Sequence, residues 1–352
     1  MARVLRITLI LCGFFCGASL SKAQFSPPGD TPQTFKSQVV IVRNNRAVTA
    51  YAAHPDIVKE MFDAGLLKLS GKPDVGAAWR CYVSTNDTVG VKVYSGPGPN
   101  SGTRPAVVAA AVEGLLAAGL PPNKIIIWDK RMVDLRLAGY DALAQKYGVR
   151  LEAAFSEGYD PAVFYDNSVP GSLVAGDLDF DQSGAKTGRK SYVTKILTKQ
   201  VTKIVIISPL LNHNVAGVCG NIFNLAFSSV DNTRRFESDP SLLATAAPEI
   251  FALPALSDHV CLCVTDALIG QYQGEDLSLL HYSTEANQLW LSKDPVALDT
   301  LAVRELDRER EAANMRAFGP NPDLLFNAAL LELGTTDLSK VRIDVLKQNT
   351  SQ

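Results

Sequence analysis

The sequence predicts an α/β fold, a mainly parallel sheet with helices on both faces in three layers. Three observations lead there. Apolar runs of strand length alternate with helical stretches along the chain, several of those runs end at a polar or charged residue, and no repeat or linker divides residues 38–346, which read as one domain. With 352 residues, 47% hydrophobic and 20% charged, the chain has ample length for a large core. Its 34 Lys and Arg against 36 Asp and Glu give a formal net charge of -2, which argues against nucleic acid or an anionic membrane surface as the main partner.

The first 23 residues read as an export signal. Arg3 and Arg6 make a basic start, an apolar run follows from Ile7 to Leu20, and Ser21-Lys22-Ala23 places small residues for cleavage before Gln24. The run is short for a membrane anchor, so no span is expected after its removal, and the mature protein is expected to be secreted or periplasmic. Residues 24–37, rich in Pro, Gly and Ser, read as a loose segment. Cys81, Cys219, Cys261 and Cys263 would remain. Cys261 and Cys263 alternate to one face of a strand, and small buried hydrophobes is the expected role of all four. No Cys-x-x-Cys occurs, so an iron–sulfur site is not expected.

Ser37–Val42 begins the sheet, and a helix starts after His54-Pro55-Asp56 with Met61, Leu66 and Leu67 on its apolar face. Val89–Tyr94 is the next strand. A loop, Ser95–Gly102, leads to Thr103-Arg104-Pro105, where Thr103 is a candidate cap and Pro105 suits the first turn of a helix ended by Gly119. That helix start offers backbone N–H groups to an anion, with Thr103 and Arg104 beside them. Lys124–Trp128 is a strand ending at Asp129, Leu135–Tyr147 a helix closed by Gly148, and Val149–Ala154 a strand. Between Tyr159 and Lys190 the chain is mixed, with Asp177, Asp179 and Asp181 reading as a solvated acidic turn.

The apolar run Ile204–Ile207 breaks at Ser208-Pro209 and reaches Asn212-His213-Asn214, after which Val215–Phe227 has a helical pattern. Pro240–Leu256 reads as helix and loop, His259–Thr265 is a buried strand ending at Asp266, and Gly270–Glu275 is a Gly-containing loop. Leu289–Leu291 is a short strand. Asp294-Pro295 caps a helix that carries Asp299 to about Ala312, Asn321-Pro322 caps another, and Lys340–Leu346 closes the sheet.

In a parallel sheet the strand ends open on one edge, where ligands bind. Lys92, Asp129, Asn212, His213 and Asp266 all fall at such ends, and Asp299 lies near a helix start. The expected site is therefore for a small molecule, anion or divalent metal. His213 is its general base or metal ligand, Asp129, Asp266 and Asp299 are its carboxylates, and Lys92, Thr103, Arg104, Asn212 and Asn224 are its ligand-binding groups. The same groups without chemistry would make a non-catalytic binding protein. Each also has a plainer role: Lys92 extending to the surface, Asp129 and Asp266 capping helices, His213 a satisfied core histidine, Asp299 a packing tie to a backbone N–H.

The combination resembles the domain-of-unknown-function 362 family. The pieces that carry the resemblance are Val91-Lys92, Thr103-Arg104-Pro105, Ile127-Trp128-Asp129, His213-Asn214-Val215-Ala216-Gly217-Val218 with Asn224, and Asp294-Pro295-Val296-Ala297-Leu298-Asp299. They run in order from about residue 38 to about 312. Phe223 and Leu211 stand where relatives carry Lys, and the ferredoxin-type Cys motifs of many relatives are absent. The resemblance implies a fold and a site, without a reaction.

Overall fold

The computed structural model describes residues 35–237, 239–316 and 322–348. Residues 1–23, read from the sequence as an export signal, and residues 24–34 of the stretch read as loose lie outside the described residues. The main elements are β1 (Ser37–Arg43), α1 (Pro55–Ser70), β2 (Val89–Lys92), α2 (Pro105–Ala117), β3 (Ile125–Asp129), α3 (Met132–Leu137), α4 (Tyr140–Tyr147), β4 (Arg150–Ala153), β5 (Tyr159–Ser172), β6 (Thr187–Thr194), β7 (Lys203–His213), β8 (Gly217–Val218), α5 (Asn221–Ser229), α6 (Pro240–Phe251), β9 (Val260–Gln271), β10 (Gln288–Ser292), α7 (Pro295–Ala312), α8 (Pro322–Leu330) and β11 (Val341–Lys347).

The large sheet runs β11–β1–β10–β9–β7–β2–β3–β4. Neighbours are parallel except for β10, which lies antiparallel to both β1 and β9. The sheet is thus mainly parallel, as its apolar runs imply, since strands covered on both faces need apolar residues throughout. Alternate side chains feed two cores. Val40, Val89, Val91, Ile125, Ile127, Val205, Ile207, Leu262 and Val264 pack under α1, α2 and α4. Val39, Ile126, Trp128, Ile204, Ile206, Cys263 and Trp290 pack under α5, α6, α7 and α8. This is the three-layer α/β arrangement.

Within the parallel part, β2, β3 and β4 step outward in one direction, and the chain then returns to place β7 and β9 on the other side of β2. The strand order therefore reverses between β2 and β7. In doubly wound sheets a crevice opens at that point, outside the C-terminal strand ends. A separate hairpin, β5 with β6, stands apart from the main sheet. Among the described residues no helix is long and apolar enough to cross a membrane.

Several boundaries differ from the sequence expectation for identifiable reasons. Strand β7 does not break at Ser208-Pro209. Its neighbour β2 stops opposite Ile206, and the ladder to β9 jumps from Asp266↔Pro209 to Gln271↔Leu211, so the N–H that Pro209 lacks falls where the ladder is interrupted. Strand β9 likewise passes through Asp266 to Gln271, supported on its other side by the register Asp266↔Leu289 with β10. The helix expected over Leu135–Tyr147 is two helices, divided at Gly139 with φ +88°. The helical pattern from Val215 is interrupted too. Gly217 (φ +88°) and Val218 fold back on His213 and Asn212 as β8, and α5 starts only at Asn221. Asp177 is buried, not solvated, and accepts N–H groups from Asn232 and Val174, each at 2.8 Å. Among the described residues the four cysteines are free; Cys81 is exposed, Cys261 is half-buried, and Cys219 and Cys263 are buried.

Candidate functional site

A cleft of about 510 Å³ opens at the C-terminal strand edge. Its walls come from Tyr94 and Gly96 after β2, Asp129, Lys130 and Arg131 at the end of β3, and His213 and Val215 at the end of β7. Phe223 and Phe227 of α5 line it, Val174 and Asp177 join from the hairpin connection, and Glu275 and Asp276 come from the loop after β9. The residues are far apart in the chain and meet because β2 and β7 are neighbours where the strand order reverses.

His213 is held by its local backbone. Its Nδ1 accepts N–H groups from Val215 (3.1 Å) and Ala216 (3.0 Å), and its ring lies 4.3 Å from that of Phe223. A nitrogen that accepts two N–H groups carries no proton, so the neutral ring bears its proton on Nε2. Burial pushes the imidazole below its ordinary range, against the opposing pull of Glu275 and Glu237. Protonating Nδ1 would set an N–H against two N–H groups, which acts in the same direction. The arrangement makes His213 a hydrogen-bond donor through Nε2, a different role from general base or metal ligand. The Glu275 carboxylate lies 4.0 Å from Nδ1 and accepts the Asn214 N–H.

Asp129 shares the cleft with His213, yet its oxygens are engaged. Ser95 donates its backbone N–H (2.8 Å) and hydroxyl (2.6 Å), Lys130 its backbone N–H (2.7 Å), and Lys92 its ammonium (2.8 Å). Burial raises this carboxyl, but the Lys92 charge and the Ser95 bonds outweigh it and hold the group below the usual range. Lys92 is fully buried beneath the cleft. Its ammonium donates to Asp129, to Asn224 Oδ1 at 2.5 Å and to the Val93 carbonyl. Burial presses it toward the neutral form while Asp129 favours the charged one. Three acceptors around one nitrogen require three N–H donors, so we assign the ammonium. Asn224 in turn donates to Ser208 at 2.9 Å, tying α5 to β7.

The other candidates lie outside the cleft. Asp266 faces the opposite core, where it binds the Arg104 backbone N–H (2.8 Å) and guanidinium (3.0 Å). Arg104 also donates to the Asn100 and Ile269 carbonyls. Thr103 does not cap α2: its hydroxyl donates to the Ile207 carbonyl (2.7 Å) and accepts the Tyr94 N–H (2.9 Å). These groups stitch β2, β7 and β9 together, leaving the Arg104 guanidinium committed within the protein. Asn212 is buried behind His213 and accepts the Glu275 N–H at 3.2 Å. Asp299 points inward from α7 to the start of α5, accepting N–H groups from Asn221 (2.7 Å) and Ile222 (2.9 Å). It is the packing tie among the readings the sequence allows. Burial raises its carboxyl to about 6 against those N–H bonds.

Sequence reasoning did not single out Tyr94, Lys130, Glu275 or Asp276. Tyr94 donates to Asp276 at 3.0 Å across the cleft. Glu275 sits on a backbone with φ +48°, and only the fold brings its loop beside His213. Phe223, noted in the sequence only as a departure from the pattern it resembles, forms the aromatic floor, 4.9 Å from Phe227. Among the described residues no group of three or more His, Cys, Asp or Glu is placed to hold a metal ion.

No family model matches the chain, and no curated protein matches it. A crystal structure of a protein from Thermotoga maritima is similar over 76% of this chain at 12% identity and a TM-score of 0.40, and the chain spans 61% of the length of that protein.

Proposed function

We propose that the protein is an exported small-molecule-binding protein whose ligand enters the cleft between the ends of β2 and β7, where His213 donates a hydrogen bond through Nε2. The observation that carries this reading is the position of the cleft. It lies at the reversal of strand order, with an aromatic floor and polar groups converging from six separate segments. A catalytic role for the same site is the second reading, favoured by a neutral imidazole donor and carboxylates within one cleft. Export rests on the basic start, apolar run and Ser21-Lys22-Ala23 of the N-terminal segment. The ordered motifs from Val91-Lys92 to Asp294–Asp299 support placement in the domain-of-unknown-function 362 family.

A thermal-shift screen of small molecules, on protein purified without chelator and analysed for metals, tests the binding reading. Hits are expected to stabilise the parent and to lose that effect in both His213→Ala and Val174→Trp, the second of which fills the cleft from the hairpin side. Hits that survive both changes place the ligand elsewhere and contradict the reading. Mass spectrometry of the mature N-terminus tests export, which predicts Gln24 as the first residue; retained Met1 contradicts it.

A further inference from the structure

We infer that the ligand of this cleft is an organic cation, an amine or quaternary ammonium on an aromatic or aliphatic body. The inference rests on the cleft being the binding site and adds the chemical class.

Charge is the first argument. Lys92 and Arg104, the cations that the sequence offered to an anion, do not line the cleft and are buried against Asp129 and Asp266. Lys130 lines the cleft but donates to the Phe227 carbonyl and the Thr233 hydroxyl, each at 3.0 Å, Arg131 is paired with Asp134 at 2.7 Å, and Arg234 is the third cation of the lining, set against the carboxylates of Asp129, Asp134, Asp177, Glu237, Glu275 and Asp276. On the other side of the balance, Glu275 and Asp276 line the cleft with no Lys or Arg within ion-pair distance among the described residues. Held neutral by its two backbone donors, His213 adds no positive charge. The cleft is left with a surplus of negative charge on one side.

Shape and surface are the second. Phe223 lies in the middle of an aromatic group, 4.3 Å from the His213 ring, 4.9 Å from Phe227 and 6.4 Å from Tyr94. Aromatic faces are negative and attract a cation that sheds its water easily, a property of alkylated ammonium groups. A bare metal ion would need several oxygen or nitrogen donors at one point, and no such cluster exists among the described residues. The Nε2–H of His213 would hold a hydroxyl or carbonyl on the body of the same ligand.

The test uses three probes of one shape on the mature protein: benzyltrimethylammonium, benzyl alcohol and benzoate, followed by calorimetric titration. The cation is expected to bind most tightly, with Kd on the order of 1 mM, and to weaken as salt is added. A Glu275→Gln/Asp276→Asn double variant is expected to lose about tenfold in affinity, and Phe223→Leu about fivefold, with melting temperatures confirming that both fold. Tighter binding of benzoate, or undiminished cation binding by the double variant, overturns the assignment. If benzoate binding is abolished by Val174→Trp, the cleft still stands as the site and the ligand class alone is wrong. Silence from all three probes also overturns the cation assignment, and the broader screen then decides separately whether the cleft binds anything.

Discussion

At the scale of single residues, the buried charges sort into those that build the site and those that face it. Lys92, Asp129 and Asn224 form a closed unit in which every ammonium hydrogen has an acceptor. Removing one partner of such a pair leaves a buried charge uncompensated, a cost of about 3–5 kcal/mol. Lys92→Met is therefore expected to destabilise by roughly 3 kcal/mol in chemical denaturation, and Lys92→Met/Asp129→Asn to recover at least half of it. Asp299 approaches α5 so closely that a Cβ at Gly220 would overlap its carboxyl. Gly220→Ala is expected to cost about 2–4 kcal/mol by displacing that carboxyl from the Asn221 and Ile222 N–H groups, read as a lowered denaturation midpoint. The sequence already placed Lys92, Asp129 and His213 at strand ends and Asp299 as an inward charge. It could not show which were consumed by internal partners, because those partners, Asn224, Ser95 and the start of α5, lie 132, 34 and 78 residues away.

At the scale of elements, the hairpin β5–β6 is anchored by reciprocal carboxylates. Asp231 accepts N–H groups from Tyr192 (2.6 Å) and Leu178 (2.8 Å), while Asp177 accepts that of Asn232. Burial pushes Asp231 up to about 7, beyond what its two N–H bonds offset. The folded state then binds more protons than the unfolded chain between the ordinary carboxylate range and about pH 7. Stability from this group is present at low pH and falls as pH rises through that window; Asp299, at about 6, acts in the same direction. Asp129, Asp87 and Asp344 are lowered, so their opposing contribution lies below about pH 4, while the lowered His213 opposes the decline, without reversing it, up to about pH 6.5. Melting temperature is expected to decline from pH 4 to pH 7, and Asp231→Asn to flatten that decline. An unchanged slope in the variant would remove Asp231 as its source. Element type was legible wherever apolar periodicity was strong, as in β3, β7 and α7. Ends were misjudged where tertiary pairing carried a strand past a polar residue, as at Pro209 and Asp266, or where a left-handed glycine cut a helix, as at Gly139.

At the scale of the whole molecule, the alternation of strands and helices was enough to place polar strand ends along one edge. The reversal of order between β2 and β7, which makes a crevice of that edge, depends on which strands are neighbours, and no local pattern encodes this. The hairpin, the loop bearing Glu275 and the aromatic floor then enclose the crevice, leaving His213 as its one imidazole. The most direct test of this account is long-range nitrogen–proton NMR of the imidazole rings, simple to assign with four histidines in the chain. The account predicts that His213 carries its proton on Nε2 with Nδ1 unprotonated, titrates below the ordinary histidine range, and shifts at Nε2 when a screened ligand is added. A proton on Nδ1, a titration at or above pH 6.5, or an Nε2 resonance indifferent to every stabilising ligand would contradict it.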